Sequence, residues 1–293
     1  MFLIIGADGF LGSYVKKNIL NMTNEDILCT SILDIDDIKN NRVRWLKIDV
    51  ANIEDIKKLN EITKNEKDLK VIYLATYFNT KNDLDIQTTK LAFNINVIGL
   101  SNFLYYMENI SKLYFTSSDM VFSIDSKIKY KENDATLPMN QYGEHKIICE
   151  KIVNSFNFNV VRLSVMMGKS ISNKKHFVDN IITNIQNGQT MEFFSDVYRT
   201  MLDFDSVSRL IIKLINNNEA QKYKIVNISG DESLSKYDMA IKIANKYNLD
   251  KNKIIPIEQT NSGIWQEKRA NNILLDNSLL KNILNIDTIN FEI

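Results

Sequence analysis

The segment MFLIIGADGFLG constrains this chain more than any other. Four apolar residues, FLII, run into Gly6, Gly9 and Gly12 at intervals of three, and SYVKKNIL follows with helical spacing of its apolar positions. That pattern specifies a buried strand turning sharply into a helix. Glycines in such a turn let backbone amides approach a pyrophosphate closely, while the helix N-terminus offers unpaired N–H groups and partial positive charge. Three-residue glycine spacing also occurs in ordinary turns. Placed directly after a strand and before a helix, it becomes a candidate dinucleotide site.

Further β-like runs, DILCTSI, VRWLKID, KVIYLAT, KLYFTSS and NVVRLSV, alternate with longer segments whose apolar residues recur at three and four. Alternation of this kind implies a parallel sheet wrapped by crossover helices, among them TKLAFNINVIGLSNFLYYM and YGEHKIICEKIVNSF. After about residue 163 the rhythm becomes irregular. HFVDNIITNIQNG reads as a helix, YKIVNIS as a strand, and SLSKYDMAIKIANKYN as a helix with Ser235 as its N-cap. This part is expected to form a smaller lobe over the carboxyl edge of the sheet, where ligands of open α/β sheets bind.

Composition narrows the classes of partner. The 36 basic and 36 acidic residues of the 293 give zero formal net charge, which steers the chain toward neither nucleic acid nor a membrane. No stretch approaches the roughly 18 apolar residues of a membrane span, and the first residues lack a basic leader. A cytoplasmic protein is expected, neither exported nor anchored. Cys29 and Cys149 sit in apolar contexts and read as reduced fillers. With only His145 and His176 and no CxxC pair, no metal site is expected.

Polar chemistry gathers in two places. KLYFTSS ends at Ser117, Ser118 and Asp119, the carboxyl end of a central strand, and QYGEHK places Tyr142 and Lys146 four apart on one helix face. A tyrosine with a pKa of about 10 is a poor acid–base group near neutrality. A lysine charge at roughly 4 Å, with an effective dielectric near 20, contributes on the order of 4 kcal/mol, or about three pKa units. Lys146 alone could therefore bring Tyr142 into a useful range. Taken singly, the three residues are an ordinary surface serine, a half-buried tyrosine and a solvated lysine.

Together these motifs resemble the extended short-chain dehydrogenase/reductase family over most of the chain. GADGFLG resembles its GxxGxxG, YLAT its fourth-strand motif, NVIGLSNFL its asparagine-centred helix and YGEHK its YxxxK. Within the family, SSDMVF and RANNILLDNSLL are similar to the STDYVF and RPxNSxLDxSKL segments of dTDP-4-dehydrorhamnose reductases and related sugar-nucleotide reductases. The resemblance implies a Rossmann-type doubly wound parallel sheet over residues 1–163. Residues 164–293 would form mainly a substrate-binding α/β lobe, with part of 200–230 returning to the Rossmann core. It implies NAD(P)H-dependent reduction of a 4-keto group on a nucleotide-activated deoxysugar, supplying cell-surface polysaccharide precursors, and it allows a homodimer.

By the same resemblance, Ser118 would hold the ketone oxygen, Tyr142 would protonate it, and Lys146 would bind the nicotinamide ribose. Cofactor contacts are implied at Gly6, Asp8, Gly9, Phe10, Leu11, Gly12, Ser31, Asp49, Val50, Leu74, Ala75, Thr76 and Asn96, besides Tyr142 and Lys146. Substrate contacts are implied at Ser118, Asp119, Met120, Arg199 and Arg269. Two departures mark a different sugar pocket: Ala270 replaces the usual proline, and RLSVMMG lacks the tryptophan of the related RTSWVYG. Asp119-Met120 stands where dehydratases carry Asp-Glu, so the base for elimination is missing. A 4-epimerase, which uses the same triad, and a catalytically silent regulatory subunit remain the alternatives. His145 is expected to point away from the catalytic face. Thr30 and Ser31 fall where an NAD-binding fold usually has an acid, Asp34 falls a little late, and Lys39, Arg42 and Arg44 follow, which also suits an ordinary solvated loop; NADP(H) is expected in preference to NAD(H).

Overall fold

The computed structural model describes residues 1–35, 40–78, 85–123, 128–259 and 271–292. Its first half alternates strand and helix: β1 (Phe2–Ile5), α1 (Phe10–Met22), β2 (Ile27–Ser31), β3 (Val43–Lys47), α2 (Ile53–Thr63), β4 (Leu69–Tyr73), α3 (Ile86–Phe93), α4 (Gly99–Tyr106), β5 (Ile110–Ser118), α5 (Gln141–Ser155) and β6 (Asn159–Leu163). Short elements follow: β7 (Met166–Met167), α6 (Phe177–Gln186), β8 (Met191–Phe194), β9 (Tyr198–Arg199) and β10 (Leu202–Asp203). Then come α7 (Phe204–Asn216), β11 (Ile225–Ile228), β12 (Leu234–Ser235), α8 (Lys236–Tyr247), β13 (Ile254–Ile257) and α9 (Ser278–Leu284).

Seven strands form one sheet in the order β11-β6-β5-β4-β1-β2-β3, and every neighbouring pair is parallel. The central strands are largely apolar because both faces are covered, whereas the edge strand β3 keeps Arg44 and Lys47 exposed. Alternate side chains sort into two cores. Phe2, Ile4, Ile72, Tyr114 and Val161 face α1, α7 and α9, whereas Leu3, Ile5, Val71, Tyr73, Leu113 and Phe115 face α2, α4 and α5. The chain reverses direction across the sheet between β1 and β4, which opens a crevice at the carboxyl ends of those strands. A third core, built on Val178, Ile181, Phe193, Met239 and Ile243, holds α6 and α8 against the β8–β13 pair. Ser235 caps α8 in a reciprocal capping box with Asp238.

The helix expected over residues 89–107 is interrupted. A π turn, Asn94–Ile98, separates α3 from α4, and its cause lies at the crevice, where the Asn96 side chain is engaged. The region after 163 sends α7 and β11 back to the large sheet. Asn18 of α1 secures α7, donating from Nδ2 to Ser208 Oγ at 2.5 Å and to Asp205 Oδ1 at 3.1 Å.

Candidate active site

The turn after β1 is shaped by backbone conformation. Gly6 has φ +84°, and a Cβ there would stand 3.0 Å from the Ala75 nitrogen. A Cβ on Gly12 would stand 2.5 Å from the Gly6 oxygen, so only glycine lets α1 start this close to the strand. Gly9 is the N-cap of α1 and supplies no side-chain cap. The first-turn amides, Phe10 and Leu11 among them, therefore meet the crevice without an intrahelical acceptor. These are the features a diphosphate needs.

A cleft of about 740 Å³ runs from this turn across the ends of β1, β4 and β5 to the second lobe. Gly6, Asp8, Gly9, Phe10, Leu11 and Gly12 line one end. Ser31, Asp49 and Val50 line the side toward β2 and β3, and Leu74, Ala75 and Thr76 form the floor. Ser31 Oγ accepts the Leu33 N–H at 3.0 Å, and Asp49 Oδ1 accepts that of Ala51 at 2.9 Å. Asn96 lies behind the lining. Its Oδ1 accepts from Thr76 Oγ1 at 3.1 Å and from the Tyr77 N–H at 2.6 Å, its Nδ2 donates to the Tyr77 carbonyl at 2.9 Å, and its own carbonyl accepts from Cys149 Sγ. Such π turns recur where a helix serves a site.

Ser118, Tyr142 and Lys146 line the same cleft. Asn140 caps α5 by accepting the Gly143 N–H at 3.0 Å. Gly143 lets the first turn of α5 lie against the Asp119–Val121 turn: a Cβ there would collide with the Met120 carbonyl and stand 2.8 Å from Pro138 Cβ. Lys146 is buried, donates from Nζ to the Thr116 carbonyl at 2.8 Å and lies 5.4 Å from the Tyr142 ring centre. Burial lowers its pKa to about 8, against the opposing pull of Cys149 and Glu150. Tyr142 is half-buried, and burial pushes its phenol well above the usual range, with a Thr76 hydrogen bond opposing. The expected lowering by Lys146 is not among the influences on the phenol, whose shift is set by desolvation; the ammonium is turned toward the Thr116 carbonyl instead. A phenol raised in this way holds its proton more tightly, so burial opposes its use as a donor and the shift does not itself assign the role.

Ser118 Oγ donates to Asp119 Oδ1 at 3.1 Å and accepts the Met120 N–H at 3.2 Å. Its single proton must change acceptor before it can serve a ketone. Asp119 is buried and its carboxyl is pushed up by that burial, with Arg199 opposing from 3.6 Å. Arg199, expected at a nucleotide sugar, lines the cleft but also donates to the Tyr198 and Asn271 carbonyls at 2.8 and 2.6 Å. Behind Ser118, Glu150 receives Arg162 through two bonds of 2.9 and 2.8 Å and Ser117 Oγ at 2.5 Å. This buried cluster ties α5 to β5 and β6.

Other expectations change. Arg42 donates to the Thr23 and Leu20 carbonyls at the end of α1, both at 2.8 Å. Arg44 pairs in register with Leu28, three residues short of the end of β2. Neither faces a ribose phosphate at the carboxyl edge, because loop proximity in sequence placed them on the wrong end of β3. Lys39, Arg269 and Ala270 lie outside the described residues. His145 is buried, with Nδ1 3.4 Å from Asn96 Nδ2, so it braces the π turn. Sequence reading passed over Gly143, Lys174 and His176. Lys174 and His176 reach the cleft from the segment between β7 and α6, and no spacing rule marks them.

A glycine turn at the sheet's switch point facing a serine, tyrosine and lysine across one cleft defines an extended short-chain dehydrogenase/reductase. More narrowly, the chain belongs to the RmlD substrate binding domain family, whose model matches residues 1–292. UDP-glucose 4-epimerase of Lactobacillus helveticus is 26% identical over 68% of this chain and 64% of that protein. Methionine adenosyltransferase 2 subunit beta of mouse is 26% identical over 96% of this chain and 81% of that one, although the chain spans only 52% of its Pongo abelii counterpart. In fold, the chain is similar to dTDP-4-dehydrorhamnose reductase of Bacillus anthracis in complex with NADP, with a TM-score of 0.78, 20% identity and 99% and 94% of the two chains covered.

Proposed function

We propose that this protein reduces a 4-keto group on a nucleotide-activated 6-deoxysugar, with NADP(H) as the preferred dinucleotide. The observation that carries the reading is the set of Ser118, Tyr142 and Lys146 facing the same cleft as the glycine turn. Gly6, Gly12 and the uncapped start of α1 fit a dinucleotide, with residues 1–163 holding it and most of 164–293 holding the sugar. A bound nicotinamide dinucleotide supplies hydride to the carbonyl carbon.

The chain's own residues do the remainder. Tyr142, a phenol that is protonated near neutrality, donates its proton to the carbonyl oxygen. Lys146, charged below about pH 8, is placed to supply the ribose contact. Ser118 turns its hydroxyl from Asp119 to the same oxygen, and Arg199 meets the substrate's diphosphate. The preference for NADP(H) is supported by Ser31 standing where a carboxylate would favour a free 2′-hydroxyl; Lys47, beside it in register, is paired with Asp34 at 2.9 Å. Among the described residues no helix is long and apolar enough to cross a membrane.

The test is NADPH oxidation with a panel of nucleotide-linked 4-keto sugars. Net consumption matching product supports the reductase. Interconversion of sugars without net consumption assigns the epimerase reading suggested by the Lactobacillus relative, and no turnover across the panel assigns the silent subunit suggested by the mouse one.

A further inference from the structure

The pyrophosphate end of the cleft contains a charge pair that the family motifs do not describe. Asp8 lies one residue before the N-cap Gly9, with its side chain 19% exposed, and its Oδ2 meets Lys174 Nζ at 3.0 Å. Both residues line the cleft. Lys174 comes from the opposite wall, and its backbone is held there by a chain of bonds. Tyr14 Oη of α1 donates to the Lys169 carbonyl at 2.8 Å. Ser170 and His176 N–H groups both reach Asp179 Oδ2, at 3.0 and 2.8 Å, and the Lys174 N–H reaches Ser172 Oγ at 3.2 Å. The His176 ring stands edge-on to Phe10, 4.8 Å away, in the first turn of α1. The segment from 168 to 176 is therefore anchored to the helix that follows the glycine turn.

A carboxylate at this position enjoys the positive end of α1 while no other anion is present. A diphosphate at the same amides would meet Asp8 as a like charge, and Lys174 is the cation placed to relieve that repulsion. An ammonium has three donors, so it can reach a phosphate oxygen from where it stands.

We propose that Lys174 is a phosphate-binding residue for the dinucleotide's pyrophosphate, with Asp8 as its partner before the anion binds and a competitor of the incoming anion. The inference rests on the cofactor reading above, and it adds a binding residue contributed by the second wall of the cleft.

Fluorescence titration of NADPH and NADH into the full chain tests it. Lys174→Gln should weaken both dinucleotides equally, by about five- to twentyfold for a partly exposed charged contact, and should flatten the salt dependence. Lys174→Arg should keep affinity within about threefold, since the charge remains. Asp8→Asn should tighten both dinucleotides by about two- to fivefold, by removing the like charge. A simple clasp between the walls gives the opposite sign for Asp8→Asn, and weaker binding in that variant overturns the proposal. Unchanged binding in Lys174→Gln overturns it too, as does a loss confined to NADPH, which would assign the lysine to the 2′-phosphate. Wild-type protein that binds neither dinucleotide removes the cofactor reading and this one together, whereas wild-type binding with an indifferent Lys174→Gln removes this one alone.

Discussion

Gly143→Ala tests how closely the proton donor depends on one backbone contact. The added Cβ would overlap the Met120 carbonyl and press on Pro138 Cβ at 2.8 Å. To restore an ordinary C···O approach of about 3.3 Å, α5 and the Asp119–Val121 turn must separate by about an ångström. The obstacle is backbone, so a rotamer change does not relieve it. Overpacking of this kind costs about 1–3 kcal/mol, and alanine in place of glycine returns about 1 kcal/mol of helix propensity. With a backbone atom in the way the upper end applies, and the net loss is about 1–2 kcal/mol. Catalysis should suffer more than stability. Tyr142 moves with α5 while Ser118 stays with β5, and a misplacement of about 1 Å can cost about a hundredfold in rate. Urea denaturation measures the first effect, and turnover on the substrate panel measures the second. A variant as stable as wild type with undiminished turnover would show that the approach of α5 does not set the Tyr142 position.

Tyr142→Phe should reduce turnover more than tenfold while leaving NADPH affinity within about threefold; a larger residual rate would leave only about 1.4 kcal/mol of barrier to the hydroxyl and disqualify it as the donor. Arg199→Ala should weaken nucleotide-sugar binding by about 1–3 kcal/mol, read by calorimetry, and should also destabilise the fold by about 2–4 kcal/mol because buried Asp119 loses its countercharge. The Asp119 carboxyl is already raised by burial and rises further in that variant. The stability loss is therefore full above the variant's folded-state pKa and gone below the wild-type one, itself above the ordinary carboxylate range, because the buried carboxyl is then protonated in both folded proteins. Equal losses at pH 7 and pH 4.5 in urea melts would contradict this. Glu150→Ala should cost about 3–5 kcal/mol by stranding Arg162 in the core, and Glu150→Ala with Arg162→Met should recover much of it; the double-mutant cycle checks the coupling.

Much of the fold was readable because strand and helix periods were clean: FLII, LKVIY and NVVRL could only be strands covered on both faces, and the glycines fixed the turn between β1 and α1. The polar ends of β5 and α5 were readable for the same reason, since a strand end and a four-residue helical spacing have one geometry each. What escaped depends on contacts made across the chain. The π turn at Asn94–Ile98 has ordinary helical spacing, and only the pull of Asn96 on Tyr77 reveals it. Arg42 and Arg44 followed β2 closely enough to suggest a phosphate site, yet strand direction carried them to its far end. The direction of the Tyr142 shift also escaped, because desolvation is a property of the packed site and Coulomb's law between two residues omits it. Lys174 meets Asp8 across a separation of 166 residues that no local pattern encodes.

The π turn divides one long helix into two parts with separate duties. Within it, Ile95 lines the cleft and Asn96 holds the segment after β4, while Val97 and, after it, Leu100, Phe103 and Leu104 answer to the sheet. The extra residue is the phase adjustment between them. Deleting one residue from Asn94–Ile98 would turn the wide turn into an ordinary α-helical one, so the packing of α4 could survive while the contacts that Asn96 makes from the wide turn are lost. Substitutions on either side can then be absorbed locally, whereas a change in length cannot, and drift in this helix is confined to the identity of its residues.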